Sequence, residues 1–188
     1  MNTTYVIFFV ILVLVIVGGI LGVVYSGRKR SERLSDHFGT EYDHTVETAG
    51  NEKKALTELE QRQKHVEALD IRPLTMTERE QYLADWTSVQ SKFVDEPGRA
   101  IIDADHLIME VMQVRAYPVA NFEQRAADLS VNYPELVSNY RAARLIANKN
   151  EQQQADTEEL RQAMIYYRSL FKELVGLEEP VEIKEKML

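Results

Sequence analysis

The feature that most constrains this chain is an unbroken apolar stretch near its start. Residues 5–25 read YVIFFVILVLVIVGGILGVVY, 18 apolar residues and three glycines with no charge in 21 positions. As a helix rising about 1.5 Å per residue it reaches about 31 Å, matching a hydrocarbon core of about 30 Å. It reads as a transmembrane helix. The run is too long for the apolar part of a signal peptide, no Lys or Arg precedes it, and Tyr25-Ser26-Gly27 offers no small-x-small cleavage pattern. An uncleaved anchor is therefore expected.

Setting the anchor aside changes what the composition says. The chain of 188 residues has 22 Lys and Arg against 30 Asp and Glu, a net charge of -8, and no cysteine. All of these charges fall after residue 25, where they make up about a third of the chain, above the roughly 25% of an average domain. Arg28, Lys29, Arg30 and Arg33 come just after the span and no side-chain cation precedes it, so the positive-inside rule places the C-terminal part in the cytoplasm and the N-terminus outside. The same four cations are read as contacts to anionic lipid head groups. With no basic stripe elsewhere, the acidic balance argues against nucleic acid. The absence of cysteine agrees with a reducing compartment. A polar part of about 150 residues buries close to 70% of its unfolded surface, so it needs neither metal nor disulfide to fold.

Past the anchor the spacing is helical. A short helix is expected over residues 41–49, ended near Gly50, with Asn51 capping the next. Residues 51–70 carry a narrow stripe of Leu56, Leu59, Val66 and Leu69, which suits a helix packed on one partner or a short coiled coil. Pro73 breaks this pattern and Thr75-x-x-Glu78 is a capping box that restarts it, with Tyr82, Trp86, Val89 and Phe93 on one core-facing stripe. Asp95 is expected to cap the helix that Pro97 opens. In residues 99–117 the apolar side chains cover about two thirds of the circumference, so this helix is central. Its polar strip holds Asp103, His106, Glu110 and Gln113, whereas Asp105 and Arg115 point into the apolar arc. A short helix is expected next, over residues 121–130. Tyr133-Pro134 opens another, with Leu136, Tyr140, Ala143 and Ala147 inward, and the polar NKNEQQQ stretch is read as a loop. Asp156-x-x-Glu159 caps a last amphipathic helix, and residues 176–188 read as a frayed, flexible tail. The expected fold is all-α: a transmembrane helix (5–25), a basic juxtamembrane segment with a short helix (26–50) and a cytoplasmic multi-helix bundle (51–175).

The stretches YPVANFEQRAADLSVNYPELVSNYRAA and TEELRQAMIYYRSLFKEL, with RSERLSDHFGTEYDHTVETAG, LDIRPLTMTERE and FVDEPGRAIIDADHLIMEVM, carry a resemblance. The chain resembles a family of uncharacterised bacterial single-pass membrane-anchored helical proteins with no known activity. The likeness covers nearly all of the cytoplasmic part. It implies a bacterial cytoplasmic membrane and an α-helical domain, and no substrate or catalytic residue. Two positions depart from the family pattern: Ala116 where Gly is expected and Arg144 where His is expected. Neither is expected to carry much functional weight.

The remaining constellations divide between chemistry and structure. Glu41-x-x-His44 and Asp103-x-x-His106 echo the carboxylate and histidine pairs of di-iron bundles, but no inward-facing Glu set accompanies them, so no metal is expected. Asp105, Arg115, Arg125 and Asp128 are the buried-charge candidates, either lining a small-molecule pocket or forming structural ion pairs. There is no GxSxG elbow, phosphate loop or HExxH. No catalytic residue or cofactor is assigned, and an enzyme is not the leading reading. Gly18, Gly22 and Ser26 share one face of the span at a spacing that lets two membrane helices approach closely, which suits a weak homodimer. The leading function is an interaction or scaffold module at the membrane, contacting the bilayer and protein partners, with Arg141, Tyr166 and Arg168 as outward contact residues. The alternative is a ligand-binding or enzymatic domain whose pocket gathers Asp105, Arg115 and Arg125.

Overall fold

A computed structural model of the protein describes residues 27–177, together with Leu12 and Tyr25. Among these residues the fold is all-α, with no strand: α1 (27–38), α2 (Thr40–Ala49), α3 (Glu52–Glu67), α4 (Met76–Lys92), α5 (Pro97–Val114), α6 (Phe122–Asn132), α7 (Pro134–Glu151) and α8 (Thr157–Val175). No helix among the described residues is long and apolar enough to cross a membrane. The span expected at residues 5–25 lies outside the described residues except for Leu12 and Tyr25, as do Ser26 and the tail beyond Leu177.

Local chemistry sets most helix boundaries. Gly50 ends α2 in the left-handed region, and the Asn51 carboxamide oxygen accepts from Lys53 N at 2.8 Å to open α3. Thr75 and Glu78 close a reciprocal capping box on α4, as Asp156 and Glu159 do on α8. Asn121 caps α6 by accepting from Gln124 N. Two expectations are corrected. The residue before α5 is Glu96, not Asp95, and it makes no side-chain cap; Pro97 in the first turn has no N–H to satisfy. The polar NKNE segment is not a loop but the last turn of α7. There Asn150 Nδ2 donates to the Gly98 carbonyl at 2.8 Å, drawing that turn onto the start of α5. A Cβ at position 98 would meet Asn150 Oδ1 at 2.6 Å, so any other residue there would make the Asn150 carboxamide shift.

The described residues divide into two compact units, one up to Leu59 and one from Glu60 onward. In the first, Leu34, Phe38, Tyr42, Ala55, Leu56 and Leu59 are buried. The Glu52 carboxylate accepts from Ser31 Oγ at 2.7 Å and from Tyr42 Oη at 3.1 Å, linking α1, α2 and the start of α3. In the second unit α5 packs against α4, α7 and α8, α8 also packs on α7, and α6 packs on α7. Ile101, Ile108, Val111 and Met112 of α5 are fully enclosed, which makes this helix the centre of the core. Trp86 of α4 stacks on Phe171 of α8 with centroids 4.7 Å apart, while Tyr82 and Phe93 pack at the margin of the same core. Burying an aliphatic or aromatic side chain of this size contributes about 1.5–3 kcal/mol, so the buried stripes of α5 and α8 together supply much of the stability of this unit.

Candidate functional site

The four charged residues that the sequence placed in or near the core do not gather at one pocket. Asp105 is nearly fully enclosed on α5. Its Oδ2 accepts from Arg144 Nη1 at 2.9 Å and its Oδ1 accepts from Tyr167 Oη at 3.1 Å. Arg144 is about a third exposed and brings its guanidinium in from α7, while Tyr167 reaches from α8. The pair therefore fastens three helices around one carboxylate. Burial, with the negative Asp105 beside it, pushes the Tyr167 hydroxyl far above the usual tyrosine range. Its hydroxyl stays protonated and donates.

Arg125, also buried, belongs to a neighbouring group. Its Nε donates to Tyr140 Oη at 3.3 Å and its Nη1 to the Val119 carbonyl at 3.3 Å, and its guanidinium lies 5.8 Å from the Phe122 ring centroid. Burial raises the Tyr140 hydroxyl as well. Asp128, on the same helix α6, has no exposed side-chain surface. Its Oδ1 accepts from Gln124 Nε2 at 2.7 Å and lies 3.6 Å from His65 Nε2, while Oδ2 has no hydrogen-bond partner. Burial is the main cause that raises its carboxyl above the usual range, against the hydrogen bond from Gln124 and the charges of His65 and Arg62.

Arg115 takes a third position, at the C-terminal end of α5. Its Nε donates to the Arg72 carbonyl at 3.2 Å, and its Nη1 donates both to Tyr133 Oη at 2.8 Å and to the Leu174 carbonyl at 3.0 Å. The rings of Tyr117 and Tyr133 flank the guanidinium with centroids 5.7 and 6.0 Å away. The side chain thus satisfies a carbonyl in the last turn of α8, where cations are favoured, and holds the 71–75 linker. It also lines a cleft of about 170 Å³ with Pro73, Leu74, Arg79, Tyr133 and residues 173–176. Neither Asp105 nor Arg125 reaches that cleft.

Elsewhere, Tyr25, Lys29, Arg30 and Arg33 line an open cavity of about 460 Å³ in the first unit, and Arg28 is exposed beside them. His44 and His106 are both exposed, and Asp103 pairs with Lys92. Among the described residues no group of three or more His, Cys, Asp or Glu is assembled that could hold a metal ion. Of the expected contact residues, Arg168 is exposed, Tyr166 packs partly against the core, and Arg141 is half-buried and paired with Glu123 at 2.8 Å. Gly18, Gly22 and Ser26 are outside the described residues.

Arg144 was not expected from the sequence as the partner of Asp105, although a signal existed. It lies one helical turn after Tyr140 in the inward row of α7, and a carboxylate in an apolar arc requires a cation. Arg79 was not expected either, and a pattern of apolar spacing gives no reason to select it. Comparison of the chain with protein families, curated proteins and solved structures found no match.

Proposed function

We propose that this chain is a single-pass, membrane-anchored helical module of a bacterial cytoplasmic membrane, with residues 5–25 as the anchor, the N-terminus outside and the bundle presented to protein partners in the cytoplasm. The observation that carries the module reading is the way the core treats its charges. Asp105 and Arg125 end on protein partners within the packed unit, and neither lines the cleft that Arg115 lines. Fixed polar pairs inside a core suit a rigid surface for partners, and the cleft of about 170 Å³ beside Arg115 is smaller than the roughly 300–1,000 Å³ of common small-molecule sites.

The anchor reading draws on the apolar run and on the basic residues just after it. Leu12 and Tyr25 are both largely exposed, which suits side chains facing lipid and its interface. Lys29, Arg30 and Arg33 lie beside Tyr25 around one open cavity, which puts three cations next to the expected end of the span, where anionic head groups lie. Native mass spectrometry of the full chain released in mild detergent tests the module. The expected result is the chain alone or with protein at fixed stoichiometry. A stoichiometric small molecule in place of any protein would overturn it.

A further inference from the structure

The cleft at the end of the second unit is lined by two arginines, Arg79 and Arg115. It is formed by the 71–75 linker, the first turns of α4, the end of α5, Tyr133 and the end of α8. Arg115 is held there by three hydrogen bonds to two carbonyls and one hydroxyl, none of which neutralises its charge. Arg79 differs. Its side chain makes no hydrogen bond or ion pair among the described residues, and its Nε is shut off from solvent without an acceptor. Its guanidinium is nonetheless positioned over the helix end, where a Cβ at Gly176 would meet Nη2 at 3.0 Å. Its Nη groups have no acceptor among the described residues either, and the side chain that carries them lines the cleft. Glu173 is the carboxylate in the lining, and it forms no ion pair with either arginine.

We propose that this cleft binds an oxyanion, a phosphate or carboxylate group, between Arg79 and Arg115. Guanidinium groups recognise such groups through paired, charge-assisted hydrogen bonds. At about 170 Å³ the space admits one charged group of a ligand, and falls short of the volume that holds a whole drug-sized molecule. Arg115, already fixed, supplies a preorganised charge, and Arg79 supplies the unused donors. The inference is independent of the anchor, so either can fail alone.

The test is thermal unfolding of the full chain in detergent at constant ionic strength, with inorganic phosphate or acetate added up to roughly 50 mM. A saturable rise in Tm with either anion is expected, and which one acts identifies the group. Arg79→Gln, which removes no hydrogen bond or ion pair among the described residues, is expected to weaken binding at least about tenfold, Arg79→Lys less so, and Glu173→Gln to strengthen it. No saturable rise with either anion overturns the proposal, as does an equal rise in Arg79→Gln.

Discussion

At the scale of single residues, Asp105 is the buried charge on which two other side chains depend. Removing its carboxylate leaves the enclosed Tyr167 hydroxyl without an acceptor and Arg144 without its partner. Asp105→Ala is therefore expected to lower stability by about 3 kcal/mol, and Tyr167→Phe, which removes one hydrogen bond, by about 1 kcal/mol. Urea unfolding of both single variants and the double variant measures this, with clear non-additivity expected because the two groups touch. Asp128 has the opposite character. Burial raises its carboxyl, so its favourable contribution is present below the ordinary value of 3.8 and is lost as pH rises through the higher folded-state value. Asp128→Asn keeps an oxygen for Gln124 and removes that loss. The variant should gain on the wild type as pH rises from acid to neutral; a less stable variant at neutral pH would count against this reading. Asp105 and Arg125 stood out in the sequence because charges in or beside an apolar arc need partners. Which partners they take was not legible, because Arg144 lies 39 positions and Tyr167 62 positions away in the chain.

At the scale of helices, the ends were the most legible part of the sequence, because capping is local chemistry. Thr75 with Glu78 and Asp156 with Glu159 cap as their spacing predicts, and Asn121, expected only as the first residue of its helix, caps α6. Arg72 and the Thr75 backbone N–H together hold the Glu78 carboxyl down to about 2, from 4.5. That contribution to α4 is present above pH 4.5 and is lost as pH falls toward about 2. Replacing Arg72 by Gln should move this loss to higher pH, read by tracking the Glu78 carboxyl in an NMR titration. Helix ends set by distant contacts were less legible: α7 runs on to Glu151 because Asn150 bonds to Gly98, 52 positions earlier. The ends of α5 and α7 also carry an exception. Tyr117 N donates to the Met112 carbonyl and Ala116 N to that of Gln113, a Schellman motif with Ala116 at φ 67. Gln153 has the same role after α7, at φ 58. Glycine carries no Cβ penalty there, so Ala116→Gly and Gln153→Gly should each stabilise by about 0.5–1 kcal/mol in thermal or urea unfolding.

At the scale of the whole molecule, an all-helical chain was legible from apolar spacing alone, as was α5 as the central helix. The division at Leu59 and Glu60, within α3, was not, because the periodicity of α3 continues across it. If Gly18, Gly22 and Ser26 form the contact face of two membrane helices, crosslinking in membranes should give a dimer that Gly22→Ile reduces at least about tenfold. Monomer alone, with Gly22→Ile unchanged, would remove the homodimer. The central claim, an anchored chain with its bundle in the cytoplasm, is tested most directly by accessibility. The protein has no cysteine, so single substitutions at Thr3 and at the exposed Glu151 report without background. With a membrane-impermeant maleimide on intact cells, outer membrane permeabilised where present, Thr3→Cys should label directly and Glu151→Cys only after the cytoplasmic membrane is broken. Labelling of Glu151→Cys before that membrane is broken, or recovery of the chain in the soluble fraction, would contradict the account.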